Sequence, residues 1–327
     1  MADRARTRRV TRTAALLVTA VTVAVTASCT AGGDRDRRDD GRASETPPAP
    51  TQSAPADTGP VLAVKIDNVP QARPQTGLNA ADVVYAEEVE GGLSRLMAVY
   101  ATRLPDSVGP VRSARESDLE LLRQFDEPVL AFSGAQSRLL PLIDAAPVQA
   151  EPPGTASDAY TRAADRPSPH NLYARPGRLL SDAPGADALT TGFRFGPAPA
   201  GGTAVNSRTV RYPTAEFTFT WSQQRHRWLV AMDGTEAVTT DAGALAPATV
   251  VVQHVTVRPS DFHDSLGNYT PYTETVGSGT AEVLRDGKAY DAKWQRADGA
   301  DGTRFTTDDG KPLNFADGQV WVVYAQR

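Results

Sequence analysis

The apolar and polar positions of residues 60–195 divide into strand-like runs and shorter helical stretches. Residues 61–66 and 129–132 are mainly apolar runs of the length expected for buried strands. A glycine turn follows the second run and leads into a helical stretch around residues 136–143. This part of the chain therefore predicts a mixed α/β domain.

A hairpin is predicted where two strand-like runs, 83–90 and 93–104, flank the glycine pair 91–92. Two glycines can adopt the positive φ angles that a two-residue primed turn requires. In that register Glu88 lies opposite Arg95, so the pattern predicts a cross-strand ion pair between them.

A helix start is predicted at Ser113, because Ser113 and Glu116 have the spacing of a capping box. Arg112 and Arg115 then lie on either side of the positive end of this helix, where they repel the helix dipole and each other. A negative group between them would remove this cost. Two candidates stay open: a bound anion, or the acidic run Glu87, Glu88 and Glu90 of the hairpin.

Residues 203–327 have a different pattern. Phe217 and Phe219 alternate with polar residues, and residues 250–257 are rich in β-branched side chains. Asp-Gly pairs, which are typical of hairpin turns, begin at positions 233, 286, 298, 301, 309 and 317. The predicted fold class is α+β: a mixed α/β N-terminal domain at 60–195, followed by a mostly antiparallel β domain at 203–327.

The N-terminus has the features of a secretory signal. Several arginines precede an apolar stretch at 14–27, which ends at the one cysteine of the chain, Cys29. Residues 26–29 resemble a bacterial lipobox, in which the cysteine is acylated and becomes the first mature residue. We therefore predict a lipoprotein signal peptide at 1–29 and lipidation at Cys29. A membrane-spanning anchor at 13–33 and ordinary cleavage with an unmodified thiol are the alternatives.

Residues 30–59 combine charged residues with Pro, Ser, Thr and Ala, and they contain almost nothing that a core could bury. They predict a disordered tether with an end-to-end distance of about 30 Å. The protein is thus expected to be exported, through the general or the twin-arginine route. It would be held on the extracytoplasmic side of the cell membrane by its lipid.

Composition excludes several classes of function. The chain of 327 residues is 40% hydrophobic and 22% charged, which excludes a protein with many membrane spans. Its net charge of −5 gives no basic field for nucleic acid. A single cysteine excludes a disulfide framework and a multi-thiolate metal site. Asp261, His263 and Asp264 are a weak metal motif with no second histidine at ligand spacing, so we expect no metal and no cofactor.

Four motifs occur in order in the first half: Asp67-Asn68 with the run 72–78, then 90–95, 109–115 and 169–173. Further motifs follow at 277–281, Trp294 and 317–321. Together they resemble the YerB-like family of bacterial lipoproteins over residues 61–325. The resemblance implies two adjoining family domains. It brings no assigned activity and no catalytic residues.

The candidate ligand-binding residues are Arg95, Arg112, Ser113, Arg115, His170 and Asn171. The favoured hypothesis is a lipid-anchored envelope protein that binds a partner protein or an anionic ligand through them. The alternative is an envelope hydrolase that acts on cell-wall or phosphorylated material, with Glu88 or Glu90 as general base and His170 as acid or base. Because no serine lies in a nucleophile-elbow motif, we favour a protein that is not an enzyme.

Overall fold

The structure is a computed structural model, and it describes residues 59–264 and 267–327. The predicted signal peptide, Cys29 and nearly all of the predicted tether lie outside the described residues. Within the described ranges, no helix is both long enough and apolar enough to cross a membrane.

The described residues before position 200 form seven strands and two α-helices. The strands are β1 (Leu62–Asp67), β2 (Val83–Glu88), β3 (Ser94–Tyr100), β4 (Val129–Ala131), β5 (Gln149–Ala150), β6 (Tyr160–Arg162) and β7 (Leu172–Ala174). The helices are α1 (Glu116–Leu122) and α2 (Leu140–Ala145).

Fourteen strands follow in the described residues after position 200. They are β8 (Thr203–Ala204), β9 (Ser207–Arg211), β10 (Glu216–Ser222), β11 (Arg227–Met232), β12 (Thr235–Glu236), β13 (Val238–Thr239), β14 (Gly243–Ala244), β15 (Thr249–Val255), β16 (Val257–His263), β17 (Tyr269–Thr273), β18 (Gly277–Arg285), β19 (Lys288–Arg296), β20 (Arg304–Thr306) and β21 (Val320–Gln326).

One large sheet contains strands from both halves of the chain. Its order is β20-β19-β18-β15-β21-β2-β3-β1-β4-β5, with β8 paired to β19. The final strand β21 runs parallel to both β15 and β2, and Val320 lies opposite Val83. The fold is therefore mostly β, and the helical share of the first half is smaller than the sequence predicts. The division into two domains near residues 190–205 stays a prediction.

The large sheet is covered on both faces. Successive residues of a strand point to opposite faces, and those of each face belong to a different buried cluster. On one face, Val64 belongs to a buried cluster with Phe219 and Trp228 of the sheet β12-β11-β10-β9. On the other face, Met97 belongs to a cluster with Leu122 of α1. The polar ends of β1 and β3 emerge on this second face, beside the start of α1.

The hairpin forms, but the predicted register is wrong by one residue. Glu88 lies opposite Ser94, and Glu87 lies opposite Arg95. The connection is longer than a two-residue loop, because the Val89 N–H donates to the Leu93 carbonyl at 2.8 Å around a short 3-10 turn. The acid directly across from Arg95 is thus Glu87 rather than Glu88.

The predicted helix start at Ser113 is also wrong. Helix α1 begins at Glu116 and is preceded by Arg115, whose backbone N–H donates to Asp118 Oδ2 at 2.7 Å. Asp118 therefore supplies the capping carboxylate expected of Glu116. Ala114 instead continues an extended segment, in which its N–H donates to the Gly134 carbonyl at 3.0 Å.

Candidate functional site

An open cleft of about 630 Å³ lies where β1, β3, the hairpin loop and the segment before α1 meet. We call it the arginine cleft. Its main polar lining is Asp67, Glu90, Arg95, Arg112, Arg115 and Gln136. His263, Asp264 and Thr270, at the adjoining ends of β16 and β17, form part of the rim, so both halves of the described chain contribute to the cleft.

Strand pairing sets the positions of the first two groups. Asp67 lies opposite Arg95 in the antiparallel pair β1 and β3, so both side chains share one face of the sheet. The segment that carries Arg112 runs along β1, because the Arg112 N–H donates to the Lys65 carbonyl at 2.8 Å. The Asp67 N–H donates in turn to the Pro110 carbonyl at 2.9 Å. Three chain segments therefore bring Asp67, Arg95 and Arg112 together.

Asp67 joins two of the candidate residues. Its Oδ2 lies 3.1 Å from Arg112 Nε and 2.8 Å from His170 Nδ1. The Asp67 side chain is buried, at 2% exposure, while that of His170 is partly exposed. A buried carboxylate requires such partners, so Asp67 holds the arginine and the imidazole on either side of itself.

Arg115 is paired with Glu90. Arg115 Nη2 donates to Glu90 Oε2 at 2.7 Å, and Arg115 Nε lies 2.6 Å from Glu90 Oε1. The Thr270 hydroxyl donates to the same Oε1 at 2.6 Å. Burial opposes ionisation of Glu90, but the hydrogen bonds from Arg115 and Thr270 and the charge of Arg115 hold its pKa below the usual value. Glu90 is thus an ionised partner of Arg115.

Arg95 differs from its two neighbours. It is buried, with 8% exposure. Within the described residues its Nε has no hydrogen-bond partner, which is also true of Arg112 Nε and Arg115 Nε, so the missing ion pair is what sets Arg95 apart. Within the described residues its guanidinium donates only from Nη1, to the Ser113 carbonyl at 3.3 Å, and no carboxylate is within ion-pair distance. Burial and then the nearby charges of Arg115 and Arg112 lower the pKa of Arg95 to about 10. The cleft therefore contains a desolvated cation without a direct counter-ion.

His170 and Asn171 are next to the cleft rather than in its lining. His170 reaches it only through Asp67. The Asn171 side chain holds its own turn: Oδ1 accepts from Arg162 Nη1 at 2.8 Å, and Nδ2 donates to the Ala163 carbonyl at 3.1 Å. Its donors and acceptor are therefore engaged in local structure.

Glu88 also lies outside the lining of the cleft. It directly follows Glu87 in β2, so the two side chains point to opposite faces of the sheet. Glu88 is half-buried, and burial raises its pKa.

A second buried ionic cluster lies beside the cleft, under α1. The fully buried Lys65 contacts Glu87, and its Nζ lies 2.7 Å from Asp118 Oδ1. The Ser117 hydroxyl donates to Glu87 Oε2 at 3.0 Å. Burial, followed by the charge of Asp118, raises the pKa of Glu87 against the opposing effect of Lys65. This cluster fixes the start of α1 on the sheet. It also engages Glu87, the acid opposite Arg95, through Lys65 and Ser117.

The arrangement suits an anion better than a metal ion. Three guanidiniums line one cleft, and the two nearest carboxylates already have arginine partners. Among the described residues, no group of three or more His, Cys, Asp or Glu side chains is arranged to hold a metal ion. Asp264 of the weak metal motif accepts instead from the side chain of Asn268 at 2.9 Å.

Comparison with known proteins places the chain in a family. The sequence profile described as "Protein of unknown function (DUF3048) N-terminal domain" matches residues 46–189, and the profile of the corresponding C-terminal domain matches residues 208–322. The chain belongs to the DUF3048 family. The similarity to YerB predicted from the sequence motifs is confirmed by one relative, through both its sequence and its crystal structure.

This DUF3048 protein is similar in sequence to "Putative lipoprotein YerB" of Bacillus subtilis (strain 168). It is 26% identical over 273 residues, which cover 80% of this chain and 80% of the relative. The crystal structure of YerB from Bacillus subtilis matches with a TM-score of 0.68 and 21% identity, over 81% of this chain and 90% of that one. This structural likeness shows a shared fold.

Sequence reasoning missed several residues of the cleft in this DUF3048 protein. Asp67 was part of a family motif but received no role, although an acid at the end of a buried strand is a usable signal. Gln136 and Thr270 gave no local signal, because tertiary folding alone brings them beside the arginines, and Asp264 was interpreted only as part of a weak metal motif.

Proposed function

We propose that this DUF3048 protein is a lipid-anchored envelope protein whose arginine cleft binds an anionic ligand without chemically changing it. The observation that carries the proposal is Arg95, a buried guanidinium that has no carboxylate within ion-pair distance among the described residues. A buried charge without a partner is costly, and such a cost is typical of functional sites. A bound anion would supply the missing partner.

The neighbouring arginines strengthen this argument. Arg112 and Arg115 each face a carboxylate, yet both still lower the pKa of Arg95 through their charge. Charge-assisted hydrogen bonds to an anion are roughly twice as strong as bonds between neutral groups. An anion at Arg95 would therefore gain a charge-assisted hydrogen bond and would offset the repulsion that Arg95 receives from Arg115 and Arg112.

The membrane anchor is supported by different observations. Basic residues, an apolar stretch and Cys29 form the expected signal sequence, and a relative over 80% of the chain carries the description "Putative lipoprotein YerB". Acylation of Cys29 would tether the described part of the chain to the outer side of the cell membrane. A ligand or partner protein of the envelope would then be accessible to the cleft.

The hydrolase hypothesis has one observation in its favour, the contact between Asp67 and His170. A carboxylate on Nδ1 fixes the tautomer of an imidazole and leaves Nε2 as a base. However, the proposed general base Glu90 is occupied by Arg115 and Thr270, and Glu88 lies outside the lining. Binding without turnover is therefore the function that we propose.

Isothermal titration calorimetry on the full chain in a non-ionic detergent tests this function. Acetate and inorganic phosphate are the probes, and the Arg95→Met variant is compared with Arg175→Met. Arg175 is a matched control because its Nε also lacks a partner, while its side chain lies outside the cleft. We expect saturable anion binding that Arg95→Met abolishes and Arg175→Met preserves. Equal binding to all three proteins would refute the proposed site.

A further inference from the structure

The side chain of Gln136 supplies a second unpartnered group in the arginine cleft. Its Nε2 donates to the His263 carbonyl at 2.6 Å, which fixes the orientation of the amide. Its Oε1 is then an acceptor, and this oxygen is buried with no hydrogen-bond partner in the part of the chain that the structure describes. An unsatisfied buried acceptor is as informative as an unsatisfied donor, because each costs free energy until a partner arrives. The cleft thus offers both a cation and a hydrogen-bond acceptor.

The geometry of Arg95 indicates the shape of the anion. Nη1 is engaged by the Ser113 carbonyl, whereas Nε has no partner and no hydrogen bond within the described residues engages Nη2. The N–H groups of Nε and Nη2 point in the same direction from one edge of the guanidinium. Two parallel donors match the two oxygens of a planar carboxylate.

Charge balance points to a single negative charge. Arg112 and Arg115 are compensated by Asp67 and Glu90, and Asp264 adds a further acid at the rim. Of the three cleft arginines, only Arg95 lacks a carboxylate within ion-pair distance among the described residues. A phosphate dianion would bring more negative charge than this one guanidinium balances, and it would be repelled by the nearby acids.

We infer that the ligand is a monocarboxylate with an N–H donor close to the carboxylate, which is the chemistry of the carboxyl-terminal end of a peptide. The carboxylate binds the Nε and Nη2 edge of Arg95, and the N–H donates to Gln136 Oε1. This inference rests on the proposed function, because it names the substrate class of the same site.

Calorimetry with a set of small probes tests the inference on the full chain in non-ionic detergent. N-acetylalanine carries both groups, N-acetyl-N-methylalanine lacks the N–H, and the methyl ester of N-acetylalanine lacks the charge. Acetate and inorganic phosphate represent the anion alone. N-acetyl-alanyl-alanine distinguishes a peptide end from a single acylated amino acid. We expect N-acetylalanine to bind about 10-fold more tightly than its N-methyl analogue, since the latter leaves Oε1 unpaired.

The variant Gln136→Leu removes the acceptor. We expect it to erase the difference between N-acetylalanine and its N-methyl analogue while leaving acetate binding unchanged, so acetate also reports whether the site is intact. Gln149→Leu is the matched control, because Gln149 likewise donates from Nε2 to a backbone carbonyl, at 3.1 Å, but lies outside the cleft. It should bind every probe as the parent protein does.

Three results would overturn the inference in distinguishable ways. If the N-methyl analogue binds as well as N-acetylalanine, the role of Gln136 is refuted and anion binding stands. If phosphate binds more tightly than every carboxylate, the monocarboxylate assignment is refuted and anion binding again stands. If no anion binds the parent protein, or Arg95→Met binds all probes equally well, the proposed function itself fails.

Discussion

Replacing Arg95 by methionine should stabilise the protein when no ligand is present. Burial and the nearby charge of Arg115 lower the pKa of Arg95 to about 10, because both disfavour its charged form. At about 1.4 kcal/mol per pH unit, the folded state loses about 3 kcal/mol by keeping this group charged. Methionine keeps much of the side-chain volume and forfeits only the 3.3 Å contact with the Ser113 carbonyl. We therefore expect a net gain of about 1 to 3 kcal/mol in the free energy of unfolding.

The sign of the pH dependence follows from the same pKa. Below pH 10 both states keep Arg95 protonated, so the penalty is present in full. As pH rises through about 10, the folded state releases this proton before the unfolded state does, and the contribution of Arg95 to stability improves. The comparison at neutral pH therefore measures the whole penalty.

Urea denaturation measures the gain, with tryptophan fluorescence as the signal, because Trp228, Trp294 and Trp321 are buried. Urea is preferable to guanidinium chloride, which adds chloride at high concentration to an anion site. The buffer should be a low concentration of a cationic amine. Arg175→Met, whose Nη2 donates to the Asp158 carbonyl, serves as control and should be neutral or slightly destabilising. A loss of more than 1 kcal/mol in Arg95→Met would show that the protein itself satisfies this guanidinium.

Four further predictions concern other groups. Arg115→Met should destabilise the fold by about 3 to 5 kcal/mol in urea, since it leaves Glu90 buried without its partner. Because the pKa of Glu90 is lowered in the folded state, its contribution to stability is present above pH 4.5 and is lost as pH falls through the folded-state pKa. Glu90→Gln should therefore reduce the loss of stability at acid pH. An unchanged dependence of stability on acid pH would count against the Arg115–Glu90 pair. Cys29→Ala should move the protein from the detergent phase to the aqueous phase and abolish fatty-acid labelling, and retention of both would refute lipidation. Burial raises the pKa of Tyr85 and Tyr324 above 10.0, so the folded state should lose stability as pH rises past 10. Tyr85→Phe should reduce that loss in denaturation curves measured between pH 9 and 11. An equal loss of stability in the variant would contradict this cause.

The pattern of apolar residues correctly predicted the buried strands that consist of one apolar run each. The apolar run 61–66 became β1 (Leu62–Asp67), and 129–132 became β4 (Val129–Ala131). The hairpin was predicted too, but its register depends on how the loop closes, and the extra 3-10 turn shifts every cross-strand pair by one residue. A change of one residue moves a side chain to the other face of the sheet. The predicted partner of Arg95 was therefore the wrong glutamate.

The cleft was predictable only in part, for a physical reason. Arg112, Arg115 and Glu90 are near one another in the fold and were proposed as one charged group from local spacing. Gln136 and Thr270 reach the cleft through contacts between segments distant in sequence. No periodicity within one segment carries such information. The position of β21 between β15 and β2 could not be predicted for the same reason, because it pairs a strand near residue 320 with strands distant in sequence.

The most direct test of the central claim observes the Arg95 side chain itself. Nitrogen-15 NMR of arginine Nε–H groups, on the full chain in detergent micelles at pH 6, assigns the Arg95 signal by its absence in Arg95→Met. Acetate is then titrated, with the Arg175 signal as internal reference. A ligand that completes the unpartnered Nε should shift the Arg95 signal in a saturable way and leave Arg175 unmoved. An Arg95 signal that does not move, while the other arginines respond equally to salt, would contradict anion binding at this cleft.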